Sequence, residues 1–241
     1  TSTAIRGHLL HAWAKKANDP AAQVLEWLWK GAPMGILDPS DWDILDSMWP
    51  VRDKPSTSYQ ARARLPEHFE NYPGIDNEAE LGDTLQKYHD MGYVTILGSW
   101  QEVQQLVHAD SPVLSRLGRV KRKKYDPKTQ DYATKVRTIL DLLESGVTAI
   151  SSTRHRSILP RSTDAISDIL EMSADLAQDE VVLALVIDLQ DAYWMIPLRW
   201  EERRYCVAKW RNQYVVFNRI AQGSRGGPLA YASIAAVLIR C

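Results

Sequence analysis

The sequence has little cysteine and no long apolar run. Its 241 residues include only two cysteines, Cys206 and Cys241, which is too few for a disulfide framework and typical of a reducing compartment. No apolar run approaches the roughly 18 residues that a membrane span needs, and the first residues lack the charged-then-apolar pattern of a signal segment. We therefore expect an intracellular protein, cytoplasmic or nuclear, that is not secreted and does not enter a membrane. The chain begins with Thr rather than Met, which indicates a piece of a longer polyprotein.

Neither sign of charge dominates, since the formal net charge is −1. The two halves nevertheless differ, because residues 1–110 carry 9 Lys and Arg against 16 Asp and Glu, whereas residues 111–241 carry 20 against 14. Eight cations fall within twenty residues: Arg116, Arg119, Lys121, Arg122, Lys123, Lys124, Lys128 and Lys135. Only Asp126 and Asp131 oppose them there. Any nucleic-acid contact is therefore expected in the second half, although a solubilising loop would have the same composition.

Capping signals and periodicity predict helices first and a mixture of strands and helices afterwards. The expected helices are 20–30, 77–90, 99–108, 162–176 and 229–239, the second capped by Asn77 and the third opened by a Ser99–Glu102 capping box. The expected strands are 113–124, 134–142, 181–187, 205–209 and 214–219, of which the first two and the last two form hairpins. Residues 32–76 are rich in Pro, Asp and Ser and predict an irregular connector, pinned to the body by Trp42, Trp49 and Phe69.

Asp188 is the first candidate for chemistry. It follows the apolar run 181–187, which predicts a strand buried on both faces. A carboxylate at the end of such a strand is costly unless it is paired or binds a cation, and Mg²⁺ prefers oxygen ligands, including a backbone carbonyl such as that of Leu189. A carboxylate that only caps the turn explains the same pattern. Asp191 is either a second ligand or a tether of the turn, and Tyr193 and Trp194 are either walls of a ligand site or core residues.

A glycine-rich stretch and several cations complete the candidate site. Residues 222–228 read Gln-Gly-Ser-Arg-Gly-Gly-Pro, and glycines allow close backbone approach to a ligand. The helix that follows is expected to present free amides, which attract phosphate. Arg137, on a predicted strand, suits bidentate contact with a triphosphate, and Lys123 or Lys124 could add a point charge. A tight turn and solvent-facing cations are the simpler interpretations.

In order and spacing, these segments resemble the fingers and palm of a reverse transcriptase of LTR-type retrotransposons and retroviruses. The resemblance covers roughly residues 113–241: the basic hairpin resembles the fingers, residues 188–197 resemble motif A, and residues 221–228 resemble motif B. It implies an RNA-directed DNA polymerase, a nucleotidyltransferase that uses two Mg²⁺ (or Mn²⁺) ions, deoxynucleoside triphosphates and an RNA or DNA template–primer.

The resemblance also implies a role for each matching position. Asp188 would be the catalytic, metal-binding aspartate, with the Leu189 carbonyl as a further metal ligand. The nucleotide would be bound by Arg137, Lys123, Asp191, Ala192, Tyr193 and Gln222, with Tyr193 as the steric gate against ribonucleotides. The template–primer would be bound by Gly223, Ser224, Arg225, Lys121, Arg122 and Lys124.

The predicted fold is α+β: polymerase-like fingers and an incomplete palm, whose antiparallel sheet is backed by helices, at 111–241, after a mostly helical segment at 1–110. The Tyr-x-Asp-Asp motif of the family, which supplies two further aspartates, does not occur in the sequence. We therefore expect a fragment of a retroelement reverse transcriptase that is inactive by itself. The alternatives are a non-catalytic relic that binds nucleic acid or interacts with other proteins, and an RNA-dependent RNA polymerase, which a bulky Tyr193 disfavours.

Overall fold

The computed structural model describes residues 5–51, 61–62, 64–127, 129–151, 154–177, 179–184 and 191–240. The α-helices within these ranges are α1 (Gly7–Lys16), α2 (Trp27–Lys30), α3 (Ala79–Asp90), α4 (Trp100–Val107), α5 (Val147–Ile150), α6 (Ser162–Ala174) and α7 (Gly227–Arg240). The strands are β1 (Val94–Leu97), β2 (Arg116–Asp126), β3 (Asp131–Asp141), β4 (Val207–Trp210) and β5 (Gln213–Phe217). Short 3₁₀ helices include Ala22–Glu26, Pro39–Leu45, Ala192–Met195 and Trp200–Tyr205. This mixture of helices and antiparallel strands agrees with the predicted α+β class.

The central sheet is antiparallel, with the order β1-β5-β4. The β4–β5 hairpin was predicted, and its turn contains Arg211, whose φ is +53°. The sequence did not predict β1, which pairs with β5 so that Val94 lies opposite Phe217. The sheet therefore joins a strand from the predicted segment 1–110 to two strands from the predicted fingers and palm.

The basic hairpin predicted from the sequence is confirmed, with slightly different bounds. β2 and β3 pair from Arg116–Asp141 at the base to Asp126–Asp131 at the tip. Just before β2, Leu114 bridges to Val207 of β4, and the Ser115 amide donates to the Val207 carbonyl at 2.8 Å. These contacts tie the base of the hairpin to the central sheet.

Two large cores hold the described elements together. One surrounds Trp194 and Phe217 and includes Leu117 and Leu140 from the hairpin together with Leu85 of α3. The other lies where α7 packs on the N-terminal helices; its members include Leu25, Leu28, Trp42, Leu229, Ile234 and Val237. In both cores, apolar side chains of one element are buried against those of another. This burial supplies the hydrophobic driving force for the fold.

Most of the predicted helices are confirmed, although one cap is not. The Ser99 hydroxyl accepts from the Glu102 amide, and the Glu102 carboxylate accepts from the Ser99 amide, so the capping box opens α4. The predicted cap Asn77 is wrong, because α3 starts after Glu78 and Asn77 ends a 3₁₀ turn. The 20–30 helix begins as 3₁₀ and ends at Gly31, whose φ is +94°.

The connector at 32–76 is pinned to the body as expected. Trp42 is fully buried and Phe69 is nearly so, while the Trp49 indole donates to the Ser233 hydroxyl of α7 at 2.9 Å. The buried carboxylate of Glu202 accepts from the amides of Met34 and Ile36. A single carboxylate thus fixes the start of the connector.

The structure describes residues 181–184 of the predicted buried strand 181–187, and for these residues the prediction is wrong. Residues 181–184 form no strand, and Leu183 is 86% exposed. They follow α6, none of whose residues is buried. An apolar run alone specifies burial only when other elements cover it, and no described element covers this one. None of the described helices has both the length and the apolar character of a membrane span.

Candidate functional site

A cleft of about 1200 Å³ opens between the basic hairpin and the body. Three segments that are far apart in the sequence form most of its walls: the two hairpin strands, residues 191–194 and residues 221–228. Its lining residues are Tyr88, Val120, Arg122, Lys124, Val136, Arg137, Ile139, Asp191, Ala192, Tyr193, Trp194, Ala221, Gln222, Gly223, Ser224, Gly227 and Pro228. The cleft therefore gathers many of the residues that the sequence singled out.

One wall is the inner face of the hairpin. Side chains of a strand alternate between its two faces, and on β2 the lining residues are Val120, Arg122 and Lys124. Val120 pairs with Arg137 of β3, which brings a second guanidinium to the same wall. Three cations thus face the cleft, while Asp191 is the one carboxylate among its described lining residues.

The opposite wall begins at Asp191, whose φ of +54° is in the left-handed region. Its carbonyl accepts from the amides of Trp194 and Met195, so this residue starts the 3₁₀ helix Ala192–Met195. The backbone carbonyl of Asp191, and not its carboxylate, makes these hydrogen bonds within the turn. Its side chain is exposed and lines the cleft.

Aromatic rings support this wall from below. Trp194 stacks on Tyr93, with ring centroids 5.3 Å apart and planes 8° apart, and also contacts Tyr88 at 4.6 Å. Burial raises the pKa of Tyr88, and the nearby charge of Asp191 raises it further. The phenol therefore keeps its proton at neutral pH.

Tyr193 is half-buried and packs against α7. Its ring meets Tyr231 of α7 edge-on, with centroids 5.9 Å apart, and a Cβ added at Gly227 would lie 3.6 Å from it. Burial and Tyr231 raise its pKa, whereas Arg137 lowers it. A neutral phenol beside a guanidinium can both restrict the shape of a ligand and donate a hydrogen bond.

The third wall is the loop at Gln222 and Gly223, which is fastened to the hairpin. The Leu140 amide donates to the Gln222 carbonyl at 3.0 Å. Gly223 has a φ of +110°, and an added Cβ would lie 2.4 Å from the Leu140 carbonyl oxygen. Only glycine fits this close approach. The glycine thus brings the loop and the base of the hairpin together, and this contact shapes the cleft.

The start of α7 offers fewer amides than the sequence indicated. The Gly227 amide donates to the Ser224 carbonyl at 3.2 Å, and Pro228 has no N–H. The positive charge that lines the cleft therefore comes mainly from the hairpin cations.

Three predicted ligand-binding residues do not line the cleft. Lys121 lies on the outer face of β2, with its ammonium 3.5 Å from the Glu78 carboxylate. Lys123 shares that outer face by strand alternation, which leaves Lys124 as the lysine of the cleft. Arg225 points to α5, where it donates to the carbonyls of Thr148 and Ser151.

The predicted metal ligands Asp188 and Leu189 lie outside the described residues. In the described ranges, no group of three or more His, Cys, Asp or Glu residues is placed to hold a metal ion. Asp191 alone does not fit a pair of Mg²⁺ ions, which need several oxygen ligands. The described part of the cleft thus presents three cations, aromatic rings and a single carboxylate.

The sequence did not indicate Tyr88 as a lining residue. It lies near the end of α3, and only the pairing of β1 with β5 brings that helix beneath residues 191–194. A capped helix followed by the short apolar run Val94-Thr95-Ile96-Leu97 was the available signal.

The sequence matches no protein-family model and no curated protein.

Proposed function

We propose that the chain is the fingers and part of the palm of a reverse-transcriptase-type polymerase, and that its cleft holds a deoxynucleoside triphosphate against a template–primer. The main support for the proposal is that residues from three separate segments of the sequence line one cleft. Arg137, Tyr193 and Gln222 were selected from separate segments by their resemblance to polymerase motifs, and they line one cleft. A solubilising hairpin would not need to face the other two segments.

The charges of the cleft support a phosphate-rich ligand. Arg122, Lys124 and Arg137 face it from one wall, and guanidinium groups bind phosphate oxygens in a bidentate manner. The ligand would lie with its phosphates against the hairpin and its sugar near Tyr193 and Gln222. In this arrangement the fixed ring of Tyr193 excludes a ribose 2′-hydroxyl.

DNA synthesis itself would need residues beyond the described part of the cleft. When bound, Mg²⁺ would stabilise charge at the attacked phosphate, with Asp188 and the Leu189 carbonyl as its proposed ligands. Because the sequence contains no Tyr-x-Asp-Asp, we assign ligand binding to this chain. Synthesis is assigned to a polypeptide that also supplies that motif.

The proposal is tested by calorimetric titration of the chain with dTTP, in the presence of template–primer and Mg²⁺. Arg137→Gln should weaken dTTP binding about tenfold or more, since hydrogen bonds to charged groups contribute about 1.5–3 kcal/mol. The matched control is Lys121→Gln, which removes a cation from the outer face and should change affinity less than about twofold. Equal affinities for all three proteins would contradict the proposal.

A second titration tests the sugar contact. Wild-type protein should prefer dUTP to UTP, which differ only by the 2′-hydroxyl, and Tyr193→Ala should reduce that preference. Binding of the template–primer without any measurable binding of dTTP would favour the alternative, a non-catalytic nucleic-acid-binding relic.

A further inference from the structure

Two tyrosines lie exposed at the tip of the basic hairpin. Tyr125 and Tyr132 are register partners, and their rings meet with centroids 5.5 Å apart at 64°. They are 47% and 63% exposed. Tyrosine is enriched at interfaces, because its ring is apolar and its hydroxyl is polar, so an exposed pair is a candidate contact site.

Nothing in the described chain covers the pair. The hairpin is a separate two-stranded sheet, and residues 121–125 and 129–134 are exposed throughout wherever their side chains are described. The cross-strand ring contact stabilises the tip, but a contact of ring edges with ring faces leaves much of each face in solvent.

The tyrosine pair shares its face with cations that the cleft does not use. By alternation along β2, Tyr125 lies on the same side as Lys123 and Lys121, opposite to Arg122 and Lys124. Within the described residues, Lys123 makes no ion pair. Lys121 is 56% exposed and lies 3.5 Å from Glu78. The outer face of the tip therefore combines two aromatic rings with positive charge.

We propose that this outer face, formed by Tyr125, Tyr132 and Lys123, binds single-stranded nucleic acid outside the cleft. Unpaired bases stack on the two rings, and the lysine contacts the intervening phosphate. Aromatic side chains beside cations bind single strands in this way without sequence preference, because every base has a flat face. The inference rests on the proposed function, since the strand on the tip would be the one that reaches the cleft.

The test compares two labelled single strands of 15 nucleotides, oligo(dT) and an abasic strand with the same phosphates, by fluorescence anisotropy with the full chain. We expect the wild-type protein to bind oligo(dT) at least about fivefold more tightly than the abasic strand, which is the effect of stacking one base. The variant Tyr125→Thr/Tyr132→Thr should lose this difference and keep its affinity for the abasic strand. Threonine retains a strong preference for strands, so the hairpin is maintained.

The matched control is Tyr125→Phe/Tyr132→Phe, which keeps both rings and should keep the preference for oligo(dT). Equal binding of both strands by the wild-type protein would overturn the tip site and leave the cleft proposal standing. A preference for oligo(dT) that survives the threonine substitutions would overturn it as well. If the wild-type protein binds neither strand and no dTTP, the proposed function fails together with the tip site.

Discussion

The two ends of the basic hairpin have the same strand pairing and opposite environments. At the base, Leu117 and Leu140 pair with each other, and both are almost completely buried in the core around Trp194. At the tip, the side chains of residues 121–125 are exposed. The pairing register is unbroken between the two ends, so the difference comes from the side chains and from what covers them.

Hydrogen bonds and ion pairs between the hairpin and the rest of the protein also lie mainly near its base. Near the base, the Leu117 amide donates to the Asn71 side chain at 3.1 Å, the Tyr72 hydroxyl donates to Asp141, and Arg119 pairs with Glu78 and Glu80. At the tip, the Tyr125–Tyr132 contact is the main interaction between described side chains. The base therefore fixes the direction of the hairpin, and the tip is free to present charge and aromatic rings. Four comparisons test this division, from the largest expected effect to the smallest.

Leu117→Ala and Tyr125→Ala compare the two ends on one face of one strand. Leu117→Ala should lower the free energy of unfolding by about 2–5 kcal/mol, because it opens a cavity in a packed core. Tyr125→Ala should lower it by about 1 kcal/mol or less, since only a cross-strand contact is lost. Urea denaturation measures both. Similar losses at the two sites would show that the tip contributes as much to the free energy of unfolding as the base does.

Gly223→Ala tests the contact between the loop and the base of the hairpin. We expect a loss of about 2–4 kcal/mol, because the methyl group meets the Leu140 carbonyl oxygen and the backbone is strained as well. The matched control is Gly74→Ala, where φ is +85° but nothing lies within 4 Å of the added Cβ. It should cost about 1–2 kcal/mol from backbone strain alone. Equal losses would mean that the loop moves away from the hairpin at little cost.

Tyr72→Phe removes a hydrogen bond at the base and has a defined pH dependence. Burial alone would raise the pKa of Asp141, but the Tyr72 hydroxyl and the amides of Glu144 and Leu143 lower it below its ordinary value of 3.8. A lowered carboxyl pKa contributes stability that is present above the ordinary value and is lost as the pH falls through the folded-state pKa.

The variant should therefore be less stable than wild type by about 1 kcal/mol at pH 7. This gap should narrow as the pH falls below 3.8, as unfolding curves recorded from pH 7 to pH 2 would show. A gap that stays constant with pH would mean that Asp141 does not sense the Tyr72 hydroxyl.

Local signals in the sequence predicted much of this hairpin. The change of periodicity after residue 108 placed both strands, and the capping box placed α4. The inner and outer faces could not be predicted, because they depend on the register of β2 with β3. Lys123 and Lys124 are equivalent in composition, and a shift of one residue exchanges their faces. For the same reason the resemblance placed Lys121 among the template–primer contacts, although it lies on the outer face.

Long-range pairing explains the other failures. β1 is an apolar run of only four residues whose partner β5 lies more than a hundred residues later, so the run by itself did not indicate the pairing. Residues 181–184 show the opposite error, since an apolar run predicts burial only where another element covers it. The convergence of Arg137, Tyr193 and Gln222 on one cleft was predicted only through the resemblance, because spacing along a chain does not fix distances in space.

Lys121→Gln should have the smallest effect on stability. Lys121 is 56% exposed at 3.5 Å from Glu78, and exposed ion pairs contribute little because water and salt screen them. Glu78 also keeps its contact with Arg119, whose side chain is 5% exposed. The urea midpoint should therefore not change measurably, whereas Arg119→Gln should lower it, because two carboxylates lose a shielded partner. If Lys121→Gln lowered the midpoint as much as Arg119→Gln, the structural part of the hairpin would extend beyond its base and towards its tip.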